Sequence, residues 1–326
     1  MTETFRAWAI PHYGPPEVLQ AVTPRLTAPQ GQQLQIEIKA SAVTRADCMM
    51  RAGTPRFARA FLGLKRPRNN LVGTGLSGVV TAPGPEVKGF AIGVSIFGES
   101  RLRFGANASH ICLDESALLL KKPENLSHAG ACTLCDGPLT SLHFLTHVTK
   151  LRPGARLLVL GGSGSLGSAA VQIARHLGAE ITATCSARNA DLVTSLGAHH
   201  VIDYTRSDIA DTAKTYDVIY DTLGASSYGR LRNNLAPHGR YLCPVLSGNL
   251  LCAALKTAFW SGHKAKFSAA GMQPTTHLRG LLTQLLSLTR SGALTPLMDR
   301  DYPLADLITA QRYVETGRKT GNVVLR

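Results

Sequence analysis

The stretch of sequence that decides the fold is Leu157-Leu-Val-Leu-Gly-Gly-Ser-Gly-Ser-Leu-Gly-Ser-Ala-Ala-Val-Gln-Ile-Ala. Gly162, Gly164 and Gly167 fit the spacing G-x-G-x-x-G, with an apolar strand before them and a helix of small residues after them. That context is typical of a dinucleotide-binding loop rather than of a glycine-rich turn without a ligand. We expect Gly162 to permit a tight turn, Gly164 to let the backbone approach a pyrophosphate, and Gly167 to let helix and strand pack closely. N–H groups at the helix start would then hold the anion.

The end of the following strand indicates which dinucleotide is bound. An NAD-binding domain carries Asp or Glu there, roughly 20 residues after the glycines, to hold the ribose 2′-hydroxyl. This chain has Ser186 and Arg188 instead, since Glu180 opens the strand and Asp191 lies inside the next helix. A guanidinium can make bidentate, charge-assisted hydrogen bonds with a 2′-phosphate. We therefore expect NADPH as the cofactor.

The chain divides into two regions with different patterns. Residues 1–125 contain short alternating or apolar runs punctuated by Gly and Pro, which favours a small, irregular barrel or sandwich. Residues 126–148 predict one or two helices. From residue 156 onward strands and helices alternate, which predicts βαβ units and a parallel sheet. The strands are predicted at 156–160, 180–185, 201–202, 216–221 and 240–245, and the helices at 165–177, 189–196 and 227–235. An amphipathic helix is predicted at 277–290 and a final strand at 321–325. A length of 326 residues fits about two domains.

The charge of the chain favours anionic partners. It has 35 Lys and Arg against 21 Asp and Glu, a net charge of +14. Such a balance suits a phosphorylated cofactor, acidic metabolites, nucleic acid or an anionic membrane surface. The basic residues are spread along the chain, apart from a modest cluster between 51 and 68, and no Arg–aromatic alternation indicates a nucleic-acid platform. We therefore expect no nucleic-acid partner.

Cysteine usage and hydropathy predict the compartment. Seven cysteines, an odd number, occur without an apolar N-terminal leader, which favours reduced thiols and a cytoplasmic protein. No apolar run approaches the roughly 18 residues that a membrane-spanning helix needs. We expect no membrane partner.

Several further segments carry a family resemblance. They are His12-Tyr-Gly-Pro-Pro-Glu-Val-Leu-Gln, Ser41-Ala-Val-Thr-Arg-Ala-Asp, Gly105-Ala-Asn-Ala-Ser, Leu139-Thr-Ser-Leu, Gly197-Ala-His-His-Val-Ile-Asp-Tyr, Tyr216-Asp-Val-Ile-Tyr-Asp and Gly317-Arg-Lys-Thr-Gly-Asn-Val-Val. In this order, and over almost the whole chain, they resemble the zinc-free, quinone-oxidoreductase-like branch of the medium-chain dehydrogenase/reductase superfamily. The subgroup that the chain resembles contains the mitochondrial reticulon-interacting oxidoreductase.

The resemblance implies an α/β fold with two domains. A GroES-like, β-rich catalytic domain would comprise residues 1–125 and 265–326. A Rossmann domain with a doubly wound parallel sheet would comprise residues 126–264. Members of the branch pair as homodimers by joining their Rossmann sheets edge to edge, which would place the contact near Arg240–Gly248.

Two zinc ligands of the superfamily are replaced in this chain. Zinc-dependent members have Cys at the position of Thr44 and Gly-His-Glu where this chain has Gly73-Thr74-Gly75. A thiolate and an imidazole, both common zinc ligands, are therefore missing. Cys132-Thr-Leu-Cys135 is the only CxxC, and it lies on a predicted helix packed against apolar neighbours. We expect no metal.

The resemblance also implies residue roles. Thr44 and Thr140 would lie beside the nicotinamide, with Thr44 on the substrate side as the candidate catalytic residue. Tyr204 and Lys319 would lie near the 2′-phosphate, and Asn322 near the cofactor or the domain junction. Besides the three glycines, the other cofactor-binding residues expected are Ser163, Ser165, Leu166, Ser186, Arg188 and Leu223.

Three positions depart from the family pattern, all of them in the substrate half. Gly75 stands where Asp or Glu is usual, Val94 where Asp is usual, and Asn107 where an aromatic residue is usual. Because that aromatic residue often walls the substrate side, Asn107 would make the pocket roomier or more polar. The identity of the substrate therefore stays open.

These features predict zinc-independent transfer of a hydride from NADPH to a quinone or an α,β-unsaturated carbonyl. The cofactor supplies the hydride and the protein supplies orientation, with one donor near the developing oxyanion. The proton can come from water or from a ribose hydroxyl. Two alternatives remain: an enoyl reductase acting on a larger or carrier-bound substrate, and an NADPH-responsive, crystallin-like protein that binds RNA.

Overall fold

The computed structural model describes residues 4–259 and 262–326. Its strands, in chain order, are β1 (Ala7–Ala9), β2 (Gln20–Val22), β3 (Gln33–Val43), β4 (Gly75–Pro83), β5 (Ser95–Glu99), β6 (His110–Asp114), β7 (Leu118–Lys121), β8 (Arg156–Leu160), β9 (Glu180–Cys185), β10 (His200–Asp203), β11 (Tyr216–Asp221), β12 (Leu235–Leu242), β13 (Lys264–Lys266), β14 (Met298–Tyr302) and β15 (Asn322–Leu325).

The α-helices are α1 (Arg45–Ala52), α2 (Arg59–Leu62), α3 (His128–Thr133), α4 (Gly137–His143), α5 (Ser165–His176), α6 (Ala190–Ser195), α7 (Tyr228–Leu231), α8 (Gly248–Ala258), α9 (Thr275–Arg290) and α10 (Leu307–Glu315). A π-helical turn at Phe144–Val148 extends α4. Among the described residues, no helix is both long enough and apolar enough to cross a membrane.

Most predicted elements are confirmed. β8, β9 and β11 have the predicted bounds, and α9 covers the helix predicted at 277–290. The helix predicted at 227–235 is confirmed as α7 followed by a 3-10 turn at Arg232–Asn234. Asn234 Nδ2, at the end of this turn, lies within 3.3 Å of three carbonyl oxygens of the preceding loop, those of Ile209, Thr212 and Lys214.

The chain forms two compact units. The first comprises Met1–Asp136, Thr275–Leu282 and Met298–Arg326, and the second comprises Gly137–Pro274 and Thr283–Leu297. Their bounds differ from the predicted domains at three places, one of which is Thr283–Leu297, predicted for the first unit and found in the second. Residues 126–136 belong to the first unit because α3 packs on β3, β4 and β5, and residues 265–274 belong to the second because β13 pairs with β12.

The first unit is built around a largely antiparallel sheet in the order β14-β15-β3-β4-β5-β7, with β6 also pairing with β3. Its long strand β3 alternates at first, with Leu34 and Ile36 buried, as a strand with one solvated face does. Its last four residues are all buried, since β15 and β4 flank that end and α3 packs against it. Thr44, directly after β3, is thereby placed in the interior of this unit.

The second unit is a parallel sheet in the order β10-β9-β8-β11-β12-β13. Numbered from β8, this is the order 3-2-1-4-5-6 of a Rossmann domain, in which the order reverses between β8 and β11. Ligands of such sheets bind at the carboxyl ends of the strands near that reversal. The predicted α/β class is therefore confirmed. A cofactor site is expected at the carboxyl ends of β8, β9 and β11.

The expected dimer contact near Arg240–Gly248 requires a correction. Arg240 lies in β12, which is hydrogen-bonded to β11 on one side and to β13 on the other. A strand paired on both sides has no free edge to join to a second sheet. Among the described strands, the edge at that side of the sheet is β13.

Candidate functional site

The turn between β8 and α5 spans Gly161, Gly162 and Ser163, and Gly161 is its left-handed residue. Gly161 has a φ of 79°, a conformation that favours glycine. Its N–H donates to Thr184 Oγ1 over 3.1 Å, and the Gly162 N–H donates to the Thr184 carbonyl oxygen over 2.8 Å. Gly162 is needed for space instead, because a Cβ there would lie 2.9 Å from Ala183 Cβ and 3.2 Å from Val193 Cγ1.

Gly164 and Gly167 have the two different environments that their predicted roles require. A Cβ on Gly167 would lie 2.7 Å from the Gly161 carbonyl carbon and 2.9 Å from Gly162 Cα, so helix and turn are in close contact there. A Cβ on Gly164 would meet only the Gly161 carbonyl oxygen, at 3.6 Å. Gly164 is the N-cap residue of α5, and no side chain caps this helix start. An uncapped helix start with an open approach suits an anion.

The residues predicted to recognise the 2′-phosphate lie at the carboxyl ends of neighbouring strands. Ser186 and Arg188 follow β9, and Tyr204 follows β10, with its N–H donating to the last carbonyl of β9 over 3.3 Å. Arg188 and Tyr204 are exposed, and Ser186 is half-buried. Asn189 Nδ2 donates to Ser163 Oγ over 3.0 Å, which ties this loop to the glycine turn. The structure therefore brings these predicted residues to one corner of the parallel sheet.

Helix α4 packs against the first turn of α5. A Cβ on Gly137 would overlap Ser165, and Ser141 Oγ donates to the Leu166 carbonyl oxygen over 2.8 Å. The Ser165 side chain is consequently buried beneath α4, so only its backbone remains suited to an anion. Thr140 is half-buried and precedes Ser141 on α4, which places it near the start of α5.

Asp221 organises the loop after β11, and its role was missed in the sequence. Its side chain is fully buried at the end of this strand. Oδ1 accepts hydrogen bonds from the N–H groups of Leu223 and Gly224 over 3.1 and 2.9 Å. Oδ2 accepts from the Ser226 N–H and the Tyr241 hydroxyl over 2.9 and 2.8 Å. One carboxylate thus shapes the loop that presents Leu223.

The loop held by Asp221 lies against the glycine turn. A Cβ on Gly161 would lie 2.8 Å from Leu223 Cδ1, so Leu223 contacts the turn at its glycine. Burial, and then the negative charge of Asp221, raise the pKa of Tyr241, so the phenol keeps its proton and donates it to the carboxylate. The available signal was an acid that ends an apolar strand, because a buried carboxylate needs donors close by.

In the first unit, Thr44 and Asp47 form a capping box at the start of α1. Asp47 Oδ2 accepts from both the Thr44 N–H and Thr44 Oγ1, each over 2.8 Å, and the Asp47 N–H donates to Thr44 Oγ1 over 3.1 Å. Both residues are buried. Burial raises the pKa of Asp47 to about 7; the hydrogen bonds from Thr44 oppose this shift, and the negative charge of Asp136 adds to it. The Thr44 hydroxyl is thus hydrogen-bonded to a carboxyl group whose pKa is about 7.

Lys319 contacts partners in its own unit. Its Nζ donates to the Gly321 carbonyl oxygen over 2.6 Å. Burial lowers the pKa of this amine, an effect that the nearby carboxylates of Asp136 and Asp299 oppose. A contact between Lys319 and a 2′-phosphate, as the resemblance implies, would require the amine to leave these partners.

Asn322 lies at the same end of the sheet as Thr44. It is buried and begins β15, whose next residue, Val323, is the register partner of Val43 at the end of β3. Because these strands are antiparallel, the residue before Val323 and the residue after Val43 adjoin. Two of the predicted site residues therefore meet within the first unit.

Gly75 lies where there is little room for a larger side chain. Gly75 on β4 is the register partner of Glu99 on β5. A Cβ on Gly75 would lie 3.3 Å from the Cys132 carbonyl oxygen and 3.5 Å from Ala42 Cβ, so a larger side chain would displace its neighbours. Burial, together with the negative charges of Asp136 and Asp47, raises the pKa of Glu99 to about 8.

Asn107 is a buried residue of the first unit. Its Oδ1 accepts from Ser41 Oγ over 3.1 Å, and a Cβ on Gly73 would lie 2.5 Å from its Cγ. Its Nδ2 has no hydrogen-bond partner among the described residues. Val94, another departure from the family pattern, packs against the apolar core.

The CxxC pair is unsuited to thiolate chemistry. Cys132 and Cys135 are fully buried, and burial raises the pKa of both thiols. A thiol rather than a thiolate is a poor nucleophile and a poor metal ligand. Cys132 Sγ donates to the Ala129 carbonyl oxygen within its own helix.

Comparison with known proteins agrees with this geometry. Residues 196–325 match the family model described as zinc-binding dehydrogenase. The chain is 28% identical to 2-methylene-furan-3-one reductase of Solanum lycopersicum, over 98% of this chain and 78% of that protein. It is 27% identical to the chloroplastic NADPH-dependent alkenal/one oxidoreductase of Arabidopsis thaliana, over 98% and 79%. The crystal structure of a quinone oxidoreductase from Pseudomonas syringae pv. Tomato DC3000 matches with a TM-score of 0.85 and 27% identity, over 99% of each chain.

Over almost its whole length the chain is similar to members of the quinone-oxidoreductase-like branch of the medium-chain dehydrogenase/reductase superfamily, so the predicted resemblance is confirmed.

Proposed function

We propose that the protein is a zinc-independent, NADPH-dependent reductase that transfers a hydride to a quinone or an α,β-unsaturated carbonyl. The observation that carries this proposal is the corner formed by the uncapped start of α5 and the Arg188 loop. A pyrophosphate and a 2′-phosphate are the anions that these two features suit. Relatives named as an NADPH-dependent alkenal/one oxidoreductase and a quinone oxidoreductase support the same reaction.

The residues at this corner fit the cofactor. The backbone from Gly162 to Gly167 would hold the pyrophosphate, since Gly164 leaves the approach open. Ser186, Arg188 and Tyr204 would hold the 2′-phosphate. NADPH, when bound, supplies the hydride. Thr140 and Leu223 would border the cofactor from α4 and from the Asp221 loop.

The first unit would supply the substrate side. By the family resemblance, Thr44 acts as the hydrogen-bond donor for the oxygen on which charge develops, and Asn322 and Lys319 are further contacts. One well-placed donor can stabilise such an oxyanion. The absence of zinc is proposed from the residues: Thr44 and Thr74 stand where zinc-dependent members have the Cys and His ligands, and the two CxxC thiols are buried.

The test is an NADPH-oxidation screen at 340 nm with naphthoquinones, enals and enoyl thioesters, run in parallel with NADH. We expect turnover of quinones or enones and a preference for NADPH. Metal analysis of the same purified protein should find far less than one zinc per chain. Retention on RNA without oxidation of NADPH would overturn the proposed function.

A second candidate function is reduction of an enoyl group carried on a large anionic thioester. The supporting observation is the segment from residue 48 to residue 85, which contains no Asp or Glu. Arg56, Lys65, Arg66 and Arg68 of this segment are exposed. A phosphate-bearing carrier arm would match such a surface. Faster turnover of the thioesters than of naphthoquinones in the same screen would favour this candidate.

We further propose a homodimer that acts in the cytoplasm. Helix α8 exposes Leu251 and Leu255, which lie four residues apart, and Phe259, directly after the helix, is 91% exposed. A pocket of about 260 Å³ lies between this helix and β13, the strand at the edge of the parallel sheet. Exposed apolar stripes beside a sheet edge favour association. Light scattering after size-exclusion chromatography should give twice the 34.8 kDa chain mass, and Leu255→Glu should reduce it to one chain.

A further inference from the structure

Thr44 and Asp47 are linked more closely than a helix cap requires. A capping box needs one acceptor for the N-cap N–H and one for an N–H of the first turn. Thr44 and Asp47 satisfy both, and Thr44 Oγ1 also lies 2.8 Å from Asp47 Oδ2. This additional bond joins a hydroxyl directly to a carboxyl group, so a proton can pass between them.

The surroundings of Asp47 favour its protonated form. Among the described residues, no salt bridge includes Asp47. The titratable groups that face it are Asp136, which follows α3, Glu99 at the end of β5, and Cys48 beside it on α1. The Lys319 amine interacts with Asp136 rather than with Asp47. A pKa of about 7 means that the carboxyl group holds a proton for a substantial part of the time at neutral pH.

Protonation of Asp47 reverses the bond to Thr44. A carboxylate can only accept, so the Thr44 hydroxyl must donate to it. A protonated carboxyl group donates to Thr44 Oγ1 instead, using the lone pair that the Asp47 N–H leaves unoccupied. The Thr44 hydroxyl proton is then available to another acceptor. Thr44 is thus a competent donor only when Asp47 carries a proton.

We propose that Thr44 and Asp47 form a proton relay that supplies the second hydrogen of the reduction. The proposal rests on the proposed function, which places Thr44 on the substrate side. Addition of hydride to the β-carbon of an enone leaves an enolate. The enolate α-carbon takes the Thr44 hydroxyl proton, Thr44 Oγ1 takes the proton of Asp47 Oδ2, and Asp47 is left as a carboxylate. A solvent proton then restores Asp47, and a hydroquinone monoanion is protonated on oxygen by the same two transfers.

The relay differs from the sequence-based expectation that water or a ribose hydroxyl supplies the proton. Because both side chains are buried, bulk water has little access to the pair. A proton that arrives through Thr44 therefore comes from one fixed direction. Thr44 is the catalytic residue of this relay, and Asp47, which acts through it, is a positioning residue.

A substrate that gains a stereocentre on protonation tests the relay. The full chain would reduce 2-methylcyclohex-2-enone with NADPH, and chiral chromatography would resolve the 2-methylcyclohexanone product. We expect one enantiomer in large excess from the wild type. Thr44→Val, which keeps the volume and removes the hydroxyl, should give nearly racemic product and lower kcat about tenfold or more, with little change in KM. Thr44→Ser should restore both the selectivity and the rate.

The pH dependence tests the part played by Asp47. Because the relay needs protonated Asp47, the wild-type kcat should fall above about pH 7, approaching tenfold per pH unit where proton transfer limits the rate. Asp47→Asn still offers an acceptor to the Thr44 N–H but has no proton to pass on. Its kcat should be low and flat over this range, and its product racemic.

Controls separate the possible outcomes. Ser247→Ala removes the hydrogen bond from the Leu250 N–H to the N-cap side chain of α8. It therefore costs one N-cap hydrogen bond, as Thr44→Val does at α1, but it should keep the wild-type stereochemistry and pH profile. The relay is overturned if the wild-type product is racemic, or if Thr44→Val retains the wild-type selectivity and pH profile. Absence of NADPH oxidation with every enone and quinone overturns the proposed function, and the relay with it.

Discussion

Two alanine substitutions in the glycine loop should impair different properties of the protein, one its stability and the other its binding of the cofactor. Gly167→Ala adds a methyl group where helix α5 meets the turn, and Gly164→Ala adds one where the approach is open. We expect the first to destabilise the second unit and the second to impair cofactor binding while leaving the fold intact. The pair is matched, because both residues lie in one motif and receive the same methyl group.

The magnitudes follow from the distances. Non-bonded carbon atoms are most stable about 3.5 Å apart or more, whereas the new Cβ of Gly167→Ala would lie 2.7 Å from the Gly161 carbonyl carbon. The Gly161 carbonyl oxygen would lie closer still, so the helix start must move by at least ~0.8 Å, at a cost near the upper end of the ~1–3 kcal/mol of overpacking. The higher helix propensity of Ala returns ~1 kcal/mol. A net loss of ~2 kcal/mol lowers the Tm by about 4–8 °C for a unit of this size.

Gly164→Ala should behave differently. Alanine caps a helix less well than glycine, at a cost below ~1 kcal/mol. The methyl group would occupy space that a pyrophosphate oxygen needs, and a tenfold weaker Kd corresponds to ~1.4 kcal/mol. We expect at least this loss for NADPH and for NADH alike, because both carry the pyrophosphate.

Thermal unfolding followed by fluorescence, with and without NADPH, measures both effects, and calorimetric titration gives the Kd. Stabilisation by NADPH should be largely lost in Gly164→Ala and retained in Gly167→Ala at temperatures where that variant is folded. Wild-type affinity in Gly164→Ala would refute the assignment of the pyrophosphate to this loop. A wild-type Tm in Gly167→Ala would refute the close packing of helix and turn.

Three further predictions concern single charges. Arg188→Ala should weaken NADPH binding about 10- to 100-fold and leave NADH binding nearly unchanged; equal losses in parallel titrations would mean that Arg188 does not contact the 2′-phosphate. Asp221→Asn should lower the free energy of unfolding in urea by ~1–3 kcal/mol. This loss should exceed that of Tyr241→Phe, which removes only one of the donors to Asp221. A smaller loss in Asp221→Asn than in Tyr241→Phe would contradict the role of Asp221 as organiser of the loop. The pKa of Glu99 in the folded state lies above its ordinary value of 4.5, so the folded state holds a proton that the unfolded state releases. The free energy of unfolding should therefore fall as the pH rises from about 4.5 to about 8. Glu99→Gln should flatten this decline, and an unchanged dependence of the free energy of unfolding on pH in urea titrations would contradict the raised pKa of Glu99.

The parallel sheet could be predicted because its signals are local. β8 is an unbroken apolar run followed at once by glycines and a helix, and a strand buried on both faces has this pattern. The spacing of the motif does not report backbone dihedral angles, however. The left-handed residue therefore proved to be Gly161, one position before the motif begins.

The contributions of side chains from distant segments could not be predicted. Asp221 acts through N–H groups two to five residues ahead and through Tyr241, which comes from another strand. Glu99 lies opposite Gly75 in the sheet, and the register between two strands cannot be predicted from the sequence of either strand alone. The Thr44–Asp47 pair is different, since Thr-x-x-Asp before a helix is a local capping signal. The burial of both residues, by contrast, could be seen only in the structure.

The position of β15 constrains the order in which the protein can fold on the ribosome. β15 lies between β14 and β3, and its Val323 pairs with Val43, some 280 residues earlier in the chain. Until the last residues have been translated, β3 lacks this neighbour. The sheet of the first unit therefore cannot be completed until translation ends, by which time nearly all of the parallel sheet of the second unit has already emerged from the ribosome. During synthesis the unpaired edge of β3 is a site where a chaperone, or a neighbouring nascent chain, can add a strand.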